Sequence, residues 1–206
     1  PFDGDGMLHS AHFENGRLVL RNKWVRTDAW QREDTTQGAE YWGIRQTLKG
    51  REDQPIKDSA NTDVIGHAGA ALTTWYLAGV PYAVDPITLE TLGPRYNYLD
   101  KPESGMSAHC KVDEVTGELM YFDYGDHWPY MWYGVADAQG EITHRVPIEL
   151  PGNRLPHDMA ITEHYSILHD HPVFHDEEAR AAGRHKIVFD STMASRLGVI
   201  PRKGDA

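Results

Sequence analysis

The chain has 206 residues, 40% hydrophobic and 25% charged, an ordinary composition for a globular protein with a sizeable core. Its formal net charge of −11 argues against nucleic-acid binding, which needs clustered Lys and Arg that this sequence lacks. Apolar stretches such as 68–77 are too short and too broken for a membrane span, and the lone cysteine, Cys110, excludes an internal disulfide framework and fits a reducing cytoplasm.

In chain order, Phe2-Asp3-Gly4-Asp5-Gly6 resembles a calcium loop but lacks the downstream Glu, and reads as a turn. Residues 12–20 (HFENGRLVL) place Asn15-Gly16, the strongest short hairpin signal, between two runs of strand formers. A short helix is expected near Asp28–Arg32, and the polar stretch 35–59 reads as a long surface loop. Three more hairpins follow: 82–92 turning at Asp85-Pro86, 111–122 at Thr116-Gly117, and 133–146 at Gln139-Gly140. A strand is expected over 160–168 and a second short helix near 176–182. Hairpins recurring without intervening helices predict an all-β array, with sandwich, barrel and propeller all open at this level.

Histidine carries the chemistry that the sequence offers. Twelve histidines is a high count, and imidazole suits borderline metals. His109, in Ser107-Ala108-His109, stands just before a hairpin; His157, in Pro156-His157-Asp158, stands just before the strand over 160–168. They lie 48 residues apart, within the roughly 40–50-residue period of one propeller blade. Histidines at the same place in successive blades would both face a central axis and build a metal site there, although spacing alone favours two ordinary strand-end histidines. His169, His171 and His175 share parity, so on one strand they would face one way, as a second metal site with Asp170 requires. Pro172 disturbs that ladder and the spacing matches no zinc signature, which favours a partly exposed cluster near a substrate entrance. His9, His12, His67, His127, His144, His164 and His185 show no partner pattern and read as structural or surface residues. The aromatic run Trp128–Tyr133 fits strand packing, with the lining of an apolar tunnel as the alternative. No nucleophile-elbow, Walker or dinucleotide motif is present, and Cys110 has no papain-like context.

Phe2-Asp3-Gly4-Asp5-Gly6-Met7-Leu8-His9 resembles the segment near the start of the carotenoid cleavage oxygenases. Asn61-Thr62, residues 85–91 (DPITLET), Ser107-Ala108-His109, Pro156-His157-Asp158 and residues 196–202 (RLGVIPR) match further landmarks of that family in order, so the resemblance covers nearly the whole chain. It implies an all-β fold that is part of a seven-bladed β-propeller, with 1–206 as a single partial domain of roughly the first half of the blades, incomplete at both ends. The start at Pro1 without Met fits a parent protein roughly twice as long.

The same resemblance implies Fe(II) held on the axis by four histidines, His109 as the first and His157 as the second, the others lying beyond Ala206. It further implies that Fe(II) and O2 cleave a C=C bond of a carotenoid, apocarotenoid or stilbene-like substrate. The partners are then an apolar small molecule and O2, without nucleic acid, with room for peripheral membrane contact by the full-length protein. Four neutral imidazoles leave the metal charge uncompensated and a position open for O2, unlike a 2-His-1-carboxylate site. Many members carry, a few residues before the Pro-Tyr of the second hairpin, a Glu that orients a ligating histidine. The corresponding place here is Leu77. Where stilbene-cleaving members hold a phenol with a Tyr and a Lys, this chain has Gly43-Ile44 and Tyr76, which tilts the expectation towards carotenoids or apocarotenoids. Two other readings stay open: a lactonase-like propeller hydrolase with carboxylates and Asn oxygens around an axial calcium or zinc, and a non-catalytic propeller scaffold.

Overall fold

Asn15 and Gly16 both take positive φ (49° and 73°), as a two-residue primed turn requires. They join β1 (Met7–Glu14) to β2 (Arg17–Trp24) in unbroken register from Met7↔Trp24 to Glu14↔Arg17. The computed structural model describes residues 3–41, 43, 56–99, 104–184 and 186–204. Helix α1 (Asp28–Thr36) starts where the Thr27 hydroxyl accepts the Trp30 N–H at 3.1 Å and stops at Gln37, whose φ is 55°.

Antiparallel meanders follow. Blade one is β3 (Asp63–His67), β4 (Ala70–Thr74), β5 (Tyr82–Val84) and β6 (Thr91–Pro94), hydrogen-bonded in sequence order. Blade two is β7 (Lys111–Val112), β8 (Leu119–Tyr124), β9 (Tyr130–Ala136) and β10 (Ile142–Glu149), again in order. Blade three opens with β11 (Met159–Ile161) and β12 (Tyr165–Asp170). A ribbon of β13 (Val173–His175), α2 (Glu177–Ala181) and β14 (Ile187–Phe189) interrupts it, and β15 (Arg196–Pro201) then pairs with β12. The inner strands β3, β7 and β11 lie beside one another, as strands around a propeller axis do. Among the described residues no helix is long and apolar enough to cross a membrane.

Short polar side chains close the turns. The Asp85 carboxylate accepts the Ile87 and Thr88 N–H groups at 2.9 and 2.7 Å, and Asp113 and Asp137 do the same for Val115 and Gln139, each at 2.9 Å. Two expectations change. Residues 160–168 form two strands, because the Thr162 hydroxyl accepts the Tyr165 N–H at 3.0 Å and folds 162–164 into a turn. The stretch 35–59 is not uniformly a surface loop: α1 runs into its start, and Lys57 and Ser59 at its end are buried. Its middle, 44–55, lies outside the described residues.

The core fills the spaces between blades. Leu72 and Ala83 of blade one pack with Leu119, Tyr121 and Ala136 of blade two. Met120, Phe122, Met131, Tyr133 and Val135 on the other face of blade two pack with Met159, Leu168 and Ile200 of blade three. Both faces of β8 are therefore dry, which is why its sequence LMYFDY shows no apolar–polar alternation. The outer face of blade one is capped by Val25 and Ala60 from the preceding segment, packed on Tyr82 and Val84.

Candidate metal centre

Asn61, His109 and His157 recur every 48 residues, each two positions ahead of the first residue of an inner strand. The three blades thus present equivalent points to the axis, and two of the three are histidine. The approach to His109 is pinned on both sides. A Cβ on Gly105 would lie 1.8 Å from the Ala78 carbonyl oxygen, so only glycine passes there. The Ser107 N–H donates to the Phe122 carbonyl at 2.9 Å, and its hydroxyl to the Tyr76 carbonyl at 3.0 Å. This bracing holds His109 at φ 63°, a left-handed conformation that costs a residue with a side chain about 1–3 kcal/mol.

The His109 and His157 rings lie with centroids 4.9 Å apart and planes at 66°. A metal-bound imidazole nitrogen at about 2.1 Å puts its ring centroid about 3.2 Å from the metal, so two cis ligands bring their centroids about 4.5–5.2 Å apart. The observed spacing falls in that window, and the pair fits a shared metal ion. The His109 Nδ1 is 2.9 Å from the Asp63 Oδ2. A carboxylate only accepts, so Nδ1 carries the proton and Nε2 keeps the lone pair a metal needs.

Blade two is tied to blade three at the same level. The Lys111 ammonium donates to the His109 carbonyl at 2.9 Å and to the Asp158 carboxylate at 2.6 Å. Burial alone would raise the Asp158 carboxyl, but the hydrogen bonds from Lys111 and the Met159 N–H hold it below the usual carboxylate range.

Tyr76 stands edge-on to His157 at 6.2 Å between ring centroids, and its carbonyl accepts the Tyr124 hydroxyl as well as Ser107. Burial raises the Tyr124 hydroxyl far above its ordinary range and keeps it a donor. Next to Tyr76, Leu77 lines a cavity of about 210 Å3 with Ile56, Tyr124, Leu155, His175 and Arg184. The resemblance places a carboxylate at Leu77; this chain puts an apolar wall there.

The other sequence candidates separate. The His169 and His171 rings are 4.8 Å apart, but His175 belongs to the β13–β14 ribbon, near Asp126 and Arg180. Burial lowers both His169 and His175, aided by neighbouring His171 and Arg180 respectively. Asp170 is engaged by Arg154 at 3.1 Å and by Arg196. Among the described residues no group of three His, Cys, Asp or Glu side chains forms a complete metal site. In the aromatic run, Met131 and Tyr133 pack in the core, and Trp132 lies 4.3 Å beneath the Arg145 guanidinium. His67 is structural, its ring nitrogens meeting the Tyr98 hydroxyl at 2.7 Å and the Gly117 carbonyl at 2.9 Å. Burial pushes the Cys110 thiol up to about 12, which leaves it unreactive. His185 and Ile44 lie outside the described residues. Sequence reasoning missed Asp63, whose one pointer was the 48-residue step from Asn61 to His109.

The family model described as retinal pigment epithelial membrane protein (RPE65) matches residues 1–206. The chain belongs to this family of carotenoid cleavage oxygenases. It is 33% identical over 216 residues to an isoeugenol monooxygenase of Pseudomonas nitroreducens, covering 98% of this chain and 43% of that protein. It is also 33% identical to a carotenoid 9,10(9′,10′)-cleavage dioxygenase of Crocus sativus, covering 98% of this chain and 40% of the relative. Its fold matches lignostilbene dioxygenase of Pseudomonas brassicacearum with a TM-score of 0.87 at 30% identity, over 100% of this chain and 43% of that one. Cobalt-substituted Synechocystis ACO matches at a TM-score of 0.82 and 25% identity, over 99% and 46% of the two chains. The chain thus spans less than half the length of these relatives, and its blades are part of a propeller.

Proposed function

We propose that the protein containing this chain cleaves a C=C bond of a carotenoid, apocarotenoid or stilbene-like substrate with Fe(II) and O2. One O atom goes to each carbon, giving two carbonyl products. The observation that carries this reading is the His109–His157 pair, 4.9 Å apart at equivalent points of neighbouring blades. The family membership supports it, as do the names of the relatives, which act on isoeugenol, carotenoids and lignostilbenes. Imidazoles at two of the three axial points, with no carboxylate at any of them, argue against the lactonase-like site, which would gather carboxylate and Asn oxygens there.

His109 and His157 would hold the metal, whose contribution when bound is redox activation of O2. The remaining work of this chain is positional. Asp63 and Lys111 fix the inner-strand starts, while Leu77, Leu155 and Ile56 supply the apolar part of a cavity that Asp126, His175, Arg180 and Arg184 also line. No side chain here has to move a proton. Residues 1–206 by themselves are expected to be inactive, because the resemblance assigns this chain half of the ligands.

The test is metal analysis and turnover of the full-length protein. His109→Ala and His157→Ala should each abolish iron retention and product formation, and His171→Ala should leave iron content nearly unchanged. Full iron in the His157→Ala variant would overturn the assignment.

A further inference from the structure

Blade one has no histidine at its axial point. Asn61 stands there, its side-chain NH2 donating to the Gly4 carbonyl at 2.6 Å and its oxygen accepting the Thr62 hydroxyl at 3.2 Å. Two residues on, at the first position of β3, Asp63 reaches out of its own blade. Its Oδ1 accepts the Val64 N–H at 2.8 Å while its Oδ2 takes the His109 Nδ1–H at 2.9 Å. Both oxygens are engaged, one by local backbone and one by the neighbouring blade, so the carboxylate is held in a single direction. The residue at the equivalent position of β7, Lys111, reaches on to the next blade in the same way, to Asp158. His157 is the contrast: neither of its ring nitrogens has a hydrogen-bond partner among the described residues, and its neighbours are the Tyr76 and His109 rings.

We propose that Asp63 is the positioning residue of the axial metal site, supplying from blade one, to His109, the one carboxylate support that either histidine has among the described residues. The inference rests on the reading that His109 and His157 hold a metal. The physical case is that a histidine ligand needs its other ring nitrogen anchored. The anchor fixes the tautomer, sets the ring plane and makes the ligating nitrogen more basic. Leu77, next in sequence to the Tyr76 that meets His157, carries an apolar side chain that can do none of this. The site is then asymmetric, with one ring preset by Asp63 and the other ordered by the metal itself.

The experiment is a Co(II) titration of the metal-free full-length protein, followed by the visible absorption of the bound cobalt. The same protein's apo form is melted as a control. Asp63→Ala should weaken Co(II) binding about 10- to 100-fold and alter the cobalt bands. Asp63→Asn, which keeps the shape and one oxygen acceptor, should lie between it and the wild type. The apo melting temperature of Asp63→Asn should stay that of the wild type, which separates positioning from folding. Asp63→Ala binding cobalt within twofold of the wild type with the same spectrum would overturn the role of Asp63 and leave the metal site standing. A wild-type protein that takes up no cobalt would instead bring down the metal-site reading, and this proposal with it.

Discussion

Blades two and three share a meander design but differ in what covers them. In blade two, Tyr121 faces blade one and Phe122 faces blade three, and both are 0% exposed. In blade three, Leu168 and Ile200 face blade two and are buried, whereas Leu197 and Val199 on the opposite side are 67% and 63% exposed. Isolated exposed apolar residues are unremarkable, but two on one strand with Tyr165 beside them make a surface shaped to take a neighbour. The difference shows that a blade's sequence is written for the interface it will join. The relatives extend well past the matched span, which leaves room for that neighbour.

Removing a side chain from the two-sided blade should have the largest effect. Phe122→Ala in the full-length protein should cost about 3–5 kcal/mol, because it opens a cavity between blades that are close-packed. The midpoint of urea unfolding measures this, and a loss below about 1 kcal/mol would mean that the blade interface is loose.

Leu197→Ala sharpens the comparison. If a further blade packs on the open face, the full-length protein should lose about 2–3 kcal/mol, as for a buried leucine. A residue as exposed as it is here would cost less than about 0.5 kcal/mol, and that smaller value would show that the face stays open.

The smallest effects come from paired glycines. Gly134 sits opposite Tyr121 in the β8–β9 pairing, and a Cβ there would lie 2.3–2.5 Å from the tyrosine ring and hydroxyl. Gly198 sits opposite Leu168 in blade three, where a Cβ would meet nothing nearer than 3.9 Å. Gly134→Ala should therefore destabilise by about 1–3 kcal/mol through overpacking, and Gly198→Ala should stay within about 0.5 kcal/mol of the wild type. Equal effects in thermal melts of the two variants would erase the difference between the blades.

The sequence by itself determined the local events. Asn15-Gly16, Asp85-Pro86, Thr116-Gly117 and Gln139-Gly140 each produced a hairpin where expected, because a turn depends on the φ preferences and side-chain hydrogen bonds of a few adjacent residues. The 48-residue step between His109 and His157 was legible for the same reason, since a blade is four short strands and their turns. Only the tertiary structure decided the rest. It put His169 and His175 in different sheets, with His171 in the link between them, because β12 ends at Asp170, just ahead of Pro172. It turned the aromatic run into core packing and a cation–π contact by stacking blades on both faces of β9. It also brought Asp63 to His109, 46 residues away, through the side-by-side placement of β3 and β7. A hydrogen bond of that kind belongs to the stacking of two sheets. It leaves no periodicity in either strand.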